Sequence, residues 1–328
     1  MTASPRLAIL DVGHGNCAVL HDRNGILVFD AGPGSTLNQY LIENQVREIT
    51  ALLISHSDAD HLGGAINLLL SHEFHVNAVY LNPDPRNSGS TFAIFRSAVR
   101  DASDRGTQVF THLTTTLSGS IQAGATVVEI LAPAPETALS GIGGRDLAGR
   151  QINPNSMSAV VRLIVDNVPM ALLPGDVDAD GLKNLVEDHP SLPARILLFP
   201  HHGGRPGRAD PTRFAQDLCS LVDPEIVIFS IGRGKHNTPN PAILQAVVAN
   251  CPRAHIACTQ LAVACAPDKP AAQPAHLIGQ VSSGKRTRSC CLGTVIFALR
   301  QPTEAFPLLR EHSDFVLRFA PTALCRRQ

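Results

Sequence analysis

The stretch LLISHSDADHLGG, residues 52–64, decides the fold and the chemistry of this chain. Its first residues, LLI, are typical of a buried strand. The chain then places four potential metal ligands within six positions and stops at two glycines: His56, Asp58, Asp60 and His61. Ligands in α/β folds gather at the carboxyl ends of strands, and imidazoles with carboxylates suit divalent cations. The stretch therefore predicts a metal site.

Two other interpretations of this stretch are available. Ser57 or Asp58 could cap the following helix, with Asp60 stabilised by the helix dipole, but that explains single residues rather than four ligand-type side chains together. An EF-hand loop fits Asp58, Asp60 and Gly63, yet its last position would be Leu69, where a carboxylate is needed. The metal site is the interpretation that accounts for all four residues.

Composition limits the class of protein. The 328 residues are 44% hydrophobic, enough for a sizeable core. A net charge of −1 with 17% charged residues gives no basic face of the duplex-binding type, although a metal site could still bind a nucleic-acid substrate. We find no signal-peptide pattern and no transmembrane stretch, so we expect a cytoplasmic location and no membrane partner. Protein partners are not indicated.

The two halves of the chain repeat one β-β-α-β pattern. Each half reads as a hairpin, a strand ending in Asp (Asp30; Asp176), a helix, and a strand ending in His (His56; His201). This internal duplication predicts an α/β fold in which two packed sheets are covered by helices on their outer faces. The first-half segments are strands at 6–11, 17–21, 26–30 and 49–55 and a helix at 35–46; the second-half segments are a hairpin around Asn167, a helix at 178–189 and a strand at 194–200.

The pattern predicts one domain over residues 1–300 and a short tail over 301–328. Two closing strands, HIACTQLAV (255–263) and CLGTVIFAL (291–299), are expected to pair. The Pro-rich segment between them, 267–289, interrupts that pair and is interpreted as an inserted loop.

The motifs, taken in order, resemble the metallo-β-lactamase superfamily of metallohydrolases, whose signature H-x-[HD]-x-D-H appears as HSDADH. The resemblance covers roughly residues 6–300 and is greatest to the hydrolase domain of the ComEC-type DNA-uptake proteins and their stand-alone soluble relatives. It implies an αββα sandwich of two mixed sheets with an internal duplication. The other matching motifs are LDVGHGNCAVL (10–20), FDAGPG (29–34), NPNSMSAVVRL (153–163), LLPGDV (172–177), LLFPHHGG (197–204) and VIFSIGRGKHNTPNPAIL (227–244).

The resemblance implies a centre of two divalent ions, Zn or Mn. One ion would be bound by His56 and Asp58, the other by Asp60 and His61, with Asp176 bridging and one histidine of the His201-His202 pair as a further ligand. The sequence leaves open which of the two it is; we favour His202 as the ligand and His201 as the contact to the substrate or leaving group. Asp30 would hold the His56 loop by accepting backbone hydrogen bonds.

Several positions depart from the family pattern. NPNS replaces the usual third-motif histidine, which makes Asn155 and Ser156 candidate substrate contacts. His14 and Asn16 stand where relatives carry Gln and Asp, and Thr238 stands where they carry His. His236 could compensate for that loss, beside Lys235 as a second candidate substrate contact. Basic residues near the metal-bearing loops could guide a phosphate backbone: Arg205, Arg208, Arg233 and Lys235.

Asp58, in place of a second histidine, adds oxygen donors and favours Mn²⁺ or a Zn/Mn mixture and phosphate esters. We therefore expect a phosphodiesterase or nuclease acting on DNA, single-stranded DNA favoured, through a metal-activated water oriented by Asp60. Two alternatives stay open. One is a small-substrate esterase for phosphorylcholine-, nucleotide- or lactone-type groups; the other is a non-catalytic partner-binding module.

Late cysteines form a second candidate site, a structural zinc. Their spacing matches no standard zinc finger, and the alternative is that they are buried small hydrophobic residues. The four candidate ligands are Cys258, Cys265, Cys290 and Cys291.

Overall fold

The structure, a computed structural model, describes residues 4–300 and 306–326. Two large sheets pack face to face, with strand orders β15-β1-β2-β3-β5-β7-β8 and β14-β13-β12-β11-β10-β9. The seven strands of the first are β1 (Arg6–Ile9), β2 (Ala18–Asp22), β3 (Gly25–Phe29), β5 (Ala51–Leu53), β7 (Ala78–Tyr80), β8 (Gln108–Phe110) and β15 (Val295–Ala298). The six strands of the second are β9 (Val127–Ala132), β10 (Val160–Val165), β11 (Val168–Leu173), β12 (Ile196–Leu198), β13 (Ile226–Phe229) and β14 (His255–Cys258).

The remaining elements cover these sheets or connect them. A small two-stranded sheet joins β4 (Glu48–Ile49) to β6 (His75–Val76). In the described ranges, no helix is both long and apolar enough to cross a bilayer. The α-helices are α1 (Thr36–Glu43), α2 (Ala59–Leu70), α3 (Ser90–Asp104), α4 (Pro135–Ser140), α5 (Ala179–Asp188), α6 (Pro211–Val222), α7 (Pro241–Asn250) and α8 (Phe306–Phe319). Short 3-10 helices lie at Thr115–Leu117, Pro200–Gly203, Ala275–Leu277 and Ser283–Lys285.

Alternating side chains in the strands divide the core into three layers. In β3, Leu27 faces the layer between the sheets, whereas Val28 faces the layer under α1–α3. In β13, Ile228 joins the inter-sheet layer and Val227 the layer under α5–α7. Strands buried on both faces need apolar residues at consecutive positions, which explains runs such as ILVF and IVIF. The predicted αββα sandwich is confirmed.

The predicted duplication is also present. In the first half β2 and β3 pair antiparallel, α1 follows, and β5 returns parallel to β3. In the second half β10 and β11 pair antiparallel, α5 follows, and β12 returns parallel to β11. Because β3 and β5 run parallel, as do β11 and β12, the polar residues that follow each strand lie at one edge of their sheet.

The predicted pairing of the two closing strands is wrong. β14 pairs parallel with β13, while β15 pairs antiparallel with β1, so the two strands complete the edges of different sheets. The segments that flank the insertion form no strand pair with each other; they are joined by the isolated bridge between Gln260 and Cys290 and by a few backbone hydrogen bonds, such as that from the Leu292 amide to the Cys258 carbonyl at 2.8 Å. Without β15 and β14, the strands β1 and β13 would be edge strands with unpaired backbone groups. These pairings join distant parts of the chain, so the order of segments in the sequence does not reveal them.

The insertion and the tail both pack on the body of the molecule. Residues 267–289 contain two 3-10 helices. In the tail, α8 buries Leu309, Phe315 and Val316 against the core. The predicted division at residue 300 borders residues 301–305, which lie outside the described ranges; that boundary stays a prediction.

Candidate metal centre

Side chains that follow three strands converge between the two halves of the sandwich. The structure brings together Asp60, His61, Asp176 and His202, with one potential ligand atom of each within 4.8 Å of all the others. His61 and Asp60 begin α2 after β5, Asp176 follows β11, and His202 follows β12. In the part of the chain that the structure describes, this is the one group of three or more ligand-type side chains that is so close.

Three buried imidazole nitrogens point into this region without a hydrogen-bond partner. They are the Nε2 atoms of His56, His61 and His202. His61 Nε2 lies 3.0 Å from Asp176 Oδ1, and His202 Nε2 lies 3.3 Å from Asp60 Oδ2, but neither contact has hydrogen-bond geometry. An unsatisfied buried polar atom is costly, and three at one place indicate that the side chains suit a divalent cation.

The opposite nitrogen of each ring is fixed by a neighbour. His61 Nδ1 lies 2.7 Å from Asp30 Oδ2, and His202 Nδ1 donates to the Ser230 carbonyl at 2.7 Å. His56 Nδ1 lies 3.1 Å from the hydroxyl of Ser55. Metal-bound histidines nearly always have their second nitrogen held in this way, which fixes the ring orientation and the tautomer.

Asp30 organises the loop as well as the ring. Its Oδ1 accepts a hydrogen bond from the Ser55 amide at 2.7 Å, and its Oδ2 accepts one from the Ser55 hydroxyl at 2.9 Å. Asp30 itself has a left-handed backbone, with φ at +55°. The geometry matches the supporting role that the resemblance implied for it.

His56 and Asp58 form a pair beside the four-residue group. Asp58 Oδ2 lies 3.5 Å from His56 Nε2, and the His56 and His61 ring centroids are 4.1 Å apart. Asp58 is the N-cap residue of α2, yet its side chain makes no capping hydrogen bond. Its carboxylate faces the histidine instead, which disfavours the capping interpretation of the motif.

The electrostatics favour ionised carboxylates. Burial opposes the charge of Asp176, but His61 and His202 hold its pKa well below the ordinary value. Asp60 is likewise opposed by burial, and its contacts with His202 and His61 also lower its pKa. For His61, burial is outweighed by Asp176 and Asp30, which raise its pKa. Without a cation, therefore, a proton on His61 is favoured beside the two carboxylates.

The His201-His202 pair sits on unusual backbone. Both residues are left-handed, with φ at +52° and +53°, a conformation that costs about 1–3 kcal/mol for a non-glycine residue. The turn directs the two rings differently. His202 is 3% exposed with its Nε2 toward Asp60, whereas the His201 side chain is 31% exposed and its Nδ1 lies 3.0 Å from Asp176 Oδ2. The hydrogen bond with Asp176 raises the pKa of His201.

Glycine is required immediately before Asp176. Gly175 has φ at +55°, and a Cβ there would lie 2.3 Å from the Ser158 hydroxyl and 2.7 Å from Ser55 Cβ. The close approach lets Ser158 accept a hydrogen bond from the Asp176 amide at 3.0 Å. The GD dipeptide of the second half is thereby packed directly against the HSDADH loop of the first.

His14 is a residue that sequence reasoning missed as part of the centre. Its Nε2 lies 3.6 Å from Asp60 Oδ2, and its ring lies 4.4 Å from that of His202 and 4.7 Å from that of His236. Burial and the neighbouring His202 lower the pKa of His14 to about 4. The available signal was its place in a glycine turn, VGHG, directly after β1.

The predicted substrate contacts divide into two groups. Asn155 lies beside the centre, with its Nδ2 at 3.4 Å from His201 Nδ1. His236 and Lys235 are exposed on the loop that reaches His14. Ser156 is buried and its hydroxyl is used within its own turn, accepting from the Asn153 amide at 2.8 Å, so the structure gives no support for a substrate contact there.

The Arg233 side chain hydrogen-bonds to backbone carbonyls rather than facing the metal centre as a free cation. Its guanidinium donates to the carbonyls of Leu261, Ala266 and Pro267, each at 2.8 Å. The expectation that Arg233 guides a phosphate backbone is therefore wrong, because its donors hold the start of the insertion. Arg205 and Arg208 are exposed on the loop after His202.

The four late cysteines do not converge. Cys290 Sγ faces Ser282 at 3.3 Å and Asp11 at 3.6 Å, whereas Cys291 Sγ faces His312 at 3.2 Å. Cys258 and Cys265 are buried in the core with Cys291, where burial raises the pKa of their thiols. The geometry thus gives no support for a structural zinc and favours the alternative, buried small hydrophobic side chains.

Comparison with known proteins agrees with the fold. The family model "Metallo-beta-lactamase superfamily" matches residues 10–144. Recombination protein 2 of Haemophilus influenzae is 25% identical over 231 residues, which are 68% of this chain and 24% of that protein. The chain thus spans about a quarter of the length of this relative.

Two solved structures have a weak likeness. The metallo hydrolase Igni18 of Ignicoccus hospitalis is 14% identical with a TM-score of 0.43, covering 76% of this chain and 94% of that one. Human tRNase Z, short form, is 15% identical with a TM-score of 0.40, covering 69% and 92%. At these values the likeness carries no information on function. The family match over residues 10–144, the αββα architecture and the Asp-His group together make the chain similar to the metallo-beta-lactamase superfamily, both in fold and in its candidate metal site.

Proposed function

We propose that the chain is a metal-dependent phosphodiesterase, a nuclease that hydrolyses DNA and favours single strands. The observation that carries the hydrolase part is the set of three buried, unpartnered Nε2 atoms, of His56, His61 and His202, beside the carboxylates of Asp60 and Asp176. We also propose the cytoplasm as its compartment.

The residues divide between two candidate ion positions. Asp60, His61 and His202 would hold one ion and His56 with Asp58 the other, with Asp176 between them. Zn or Mn ions bound there would supply positive charge that activates water and neutralises the ester. The donor set fits, because buried imidazoles and ionised carboxylates are the ligands that both metals accept.

The chain's own groups provide the remaining chemistry. The His201 ring is partly exposed beside Asp176 and can donate a proton to a departing oxygen, with Asp176 fixing its orientation. Asn155, next to His201, offers an amide donor for a non-bridging phosphate oxygen. Asp60 is placed at the edge of the buried group, where its carboxylate can orient an attacking water.

Support for a phosphodiester comes from the oxygen-rich donors and from the neighbouring cations. Asp58 adds a carboxylate where an imidazole would make a softer site. The exposed residues Arg205, Arg208 and Lys235 follow metal-bearing loops and can attract a phosphate backbone. The match to a protein named for recombination favours DNA over other esters.

The test is hydrolysis by the purified chain with Mn²⁺ or Zn²⁺, after its metal content has been measured. Substrates are single-stranded DNA, duplex DNA, RNA and bis-p-nitrophenyl phosphate. His61→Ala is expected to abolish turnover, whereas His72→Ala, an exposed histidine after α2, is the matched control.

Three outcomes distinguish the alternatives. Turnover of single-stranded DNA that His61→Ala abolishes supports the proposal. Turnover of the small ester with none of the polymers would favour the small-substrate esterase. A wild-type chain that binds neither metal would refute the hydrolase and favour a partner-binding module.

A further inference from the structure

The insertion 267–289 is fastened to the loop that carries His14. Asp11, fully buried at the end of β1, accepts hydrogen bonds at its Oδ2 from the Ser282 hydroxyl at 2.5 Å and from the Gly284 amide at 2.9 Å. Its Oδ1 accepts from the Gly13 amide at 3.1 Å. One carboxylate therefore holds both the insertion and the turn beside the metal centre.

The other end of the insertion is held as firmly. The Arg233 guanidinium binds the carbonyls of Ala266 and Pro267, where the insertion starts. Within the insertion, Lys285 Nζ donates to the carbonyls of Leu277 and Gln280 at 3.0 and 2.8 Å. Fixed ends and internal bonds give the segment a definite position relative to the turn that carries His14.

The fastened segment ends in the sequence KRTR, residues 285–288, and residues 279–292 contain no Asp or Glu. Arg286 and Arg288 are both exposed, and in the described ranges neither has an ion-pair or hydrogen-bond partner for its guanidinium. These are two cations without compensation in a chain whose net charge is −1. A structural salt-bridge role does not account for them.

Arg286 lies at a cavity beside the start of α1, and the residue that precedes that start contacts α2. A cavity of about 430 Å³ lies between residues 279–286 and the start of α1, and its charged lining residues are Lys285, Arg286 and Glu43. The start of α1 follows Pro33, which packs against Gly63 of α2. On the other side, Ser283 Oγ lies 3.6 Å from where a Cβ of Gly13 would be, next to His14.

We propose that Arg286 and Arg288 bind the phosphate backbone of a single-stranded nucleic acid on one side of the nucleotide that occupies the metal centre. The inference rests on the proposed nuclease function and adds the surface that would hold a polymer. The Ser283 amide donates to the Asp11 carbonyl at 2.8 Å, at the start of the turn that carries His14. Arg286 is three residues further on, so its Cα lies within about 11 Å of that of Ser283, and a run of phosphates that leaves the centre past the His14 turn would approach it.

The chemistry of the segment favours backbone recognition without sequence preference. Residues 279–292 contain no aromatic side chain on which a base could stack. Guanidinium groups pair with phosphate oxygens in a planar, bidentate manner. Each phosphate contact releases counterions, so binding depends on salt with a slope of about −0.7 per contact for a single strand.

The test measures binding separately from hydrolysis. A fluorescent phosphorothioate oligo(dT) retains its charges, and its anisotropy gives Kd over a salt series with the metal-loaded protein. For the double variant Arg286→Gln/Arg288→Gln we expect Kd at low salt to rise about tenfold and the salt slope to fall by about 1.4. The matched control is Arg96→Gln/Arg100→Gln, two exposed arginines of α3, for which neither value should change.

Restoring charge provides a second variant. Arg286→Lys/Arg288→Lys is expected to recover most of the affinity and the slope, and failure to do so would overturn the proposal. An unchanged Kd and salt slope in Arg286→Gln/Arg288→Gln would overturn it as well. It would also be overturned if this variant lost binding to phosphatidylserine vesicles while it kept the oligo(dT) affinity of the wild type. If wild type hydrolyses no phosphodiester, the proposed function fails, but the binding series still decides this inference.

Discussion

The imidazole of His61 and the carboxylate of Asp30 meet at 2.7 Å, and that contact leaves the opposite ring nitrogen of His61 free beside Asp176. Asp30 comes from β3 and His61 from the start of α2, so the contact joins two elements of the first half. Because Asp30 also binds the amide and hydroxyl of Ser55, it fixes the ring and the loop together.

Replacing Asp30 should therefore weaken metal binding although Asp30 is not itself a ligand. For Asp30→Asn we expect metal affinity to fall about 10- to 100-fold, as for other residues that orient a ligand. Competition with a chromogenic chelator measures it. The matched control is Asp22→Asn, whose carboxylate also accepts two hydrogen bonds, from the Arg23 and Thr126 amides, away from the centre. Equal losses in both variants would contradict a local role.

Replacing His201 and replacing His202 should affect metal binding and turnover differently. His202→Ala removes a buried nitrogen of the ligand group, so we expect less bound metal per chain and no turnover. His201→Ala leaves that group complete, so metal content should persist while kcat falls about 10²- to 10⁴-fold, the range for loss of a general acid. Elemental analysis measures the bound metal of the two variants, and steady-state kinetics measures their kcat. Loss of metal in His201→Ala but not in His202→Ala would exchange the roles of the two histidines.

Cation binding should stabilise the fold, because the ligands come from both halves. At a thousandfold excess over Kd we expect the free energy of unfolding to rise by about 4.1 kcal/mol. Urea unfolding with and without Mn²⁺ measures this. His61→Ala should abolish the increase and His72→Ala should retain it; an increase that persists in His61→Ala would place the stabilising ion elsewhere.

Asp58 should influence which metal binds. Asp58→His replaces an oxygen donor beside His56 with a nitrogen donor, so we expect the affinity ratio of Zn²⁺ to Mn²⁺ to increase. Asp58→Asn, which keeps the size but loses the charge, serves as the comparison. Parallel titrations with the two metals give the ratio, and an unchanged ratio in Asp58→His would remove Asp58 from the ligand set.

A buried histidine far from the metal ligands should give a pH dependence of stability. His312 of α8 is 2% exposed, with its Nε2 at 3.2 Å from Cys291 and its Nδ1 at 3.0 Å from His255. Burial, with smaller effects of His255 and His276, lowers its pKa well below the ordinary value of 6.5.

The unfolded chain therefore binds a proton more readily than the folded one. Stability is present above about pH 6.5 and is lost as pH falls below it, by up to about 1.4 kcal/mol per pH unit. His312→Gln should reduce that slope, as measured by urea unfolding between about pH 6.5 and 4.5, whereas His72→Gln should not. Equal slopes for wild type and His312→Gln would mean that the group titrates normally.

Local patterns predicted much of the fold. The apolar runs at β3 and β13 and the polar residues after β5 and β11 sufficed for the two sheets and for one edge rich in ligands. The duplicated order of hairpin, helix and strand matched Asp176 with Asp30, and the family resemblance implied that Asp176 shares one metal centre with His61, 115 residues earlier in the chain. Such features depend on neighbours in sequence, so a pattern reveals them.

The features that were missed depend on contacts between distant residues. The local sequence pattern does not show that β15 pairs with β1 rather than with β14. It also does not show that the Arg233 guanidinium donates its hydrogen bonds to carbonyls at the start of the insertion. His14 joined the site because its glycine turn packs against the Asp60 carbonyl. The sequence favoured Ser156 as a substrate contact, but its hydroxyl accepts a hydrogen bond from the Asn153 amide within the same turn.

The pairing of β15 with β1 has a consequence for synthesis. Arg6 pairs with Ala298, so this edge of β1 stays open until Ala298 has also left the ribosome. At about 5–20 residues per second, this delay is about 15–60 s. During it, a strand edge is available to other nascent chains, and any truncation before residue 295 leaves it open permanently. β15 covers the open edge of β1, and we therefore expect fragments without β15 to aggregate.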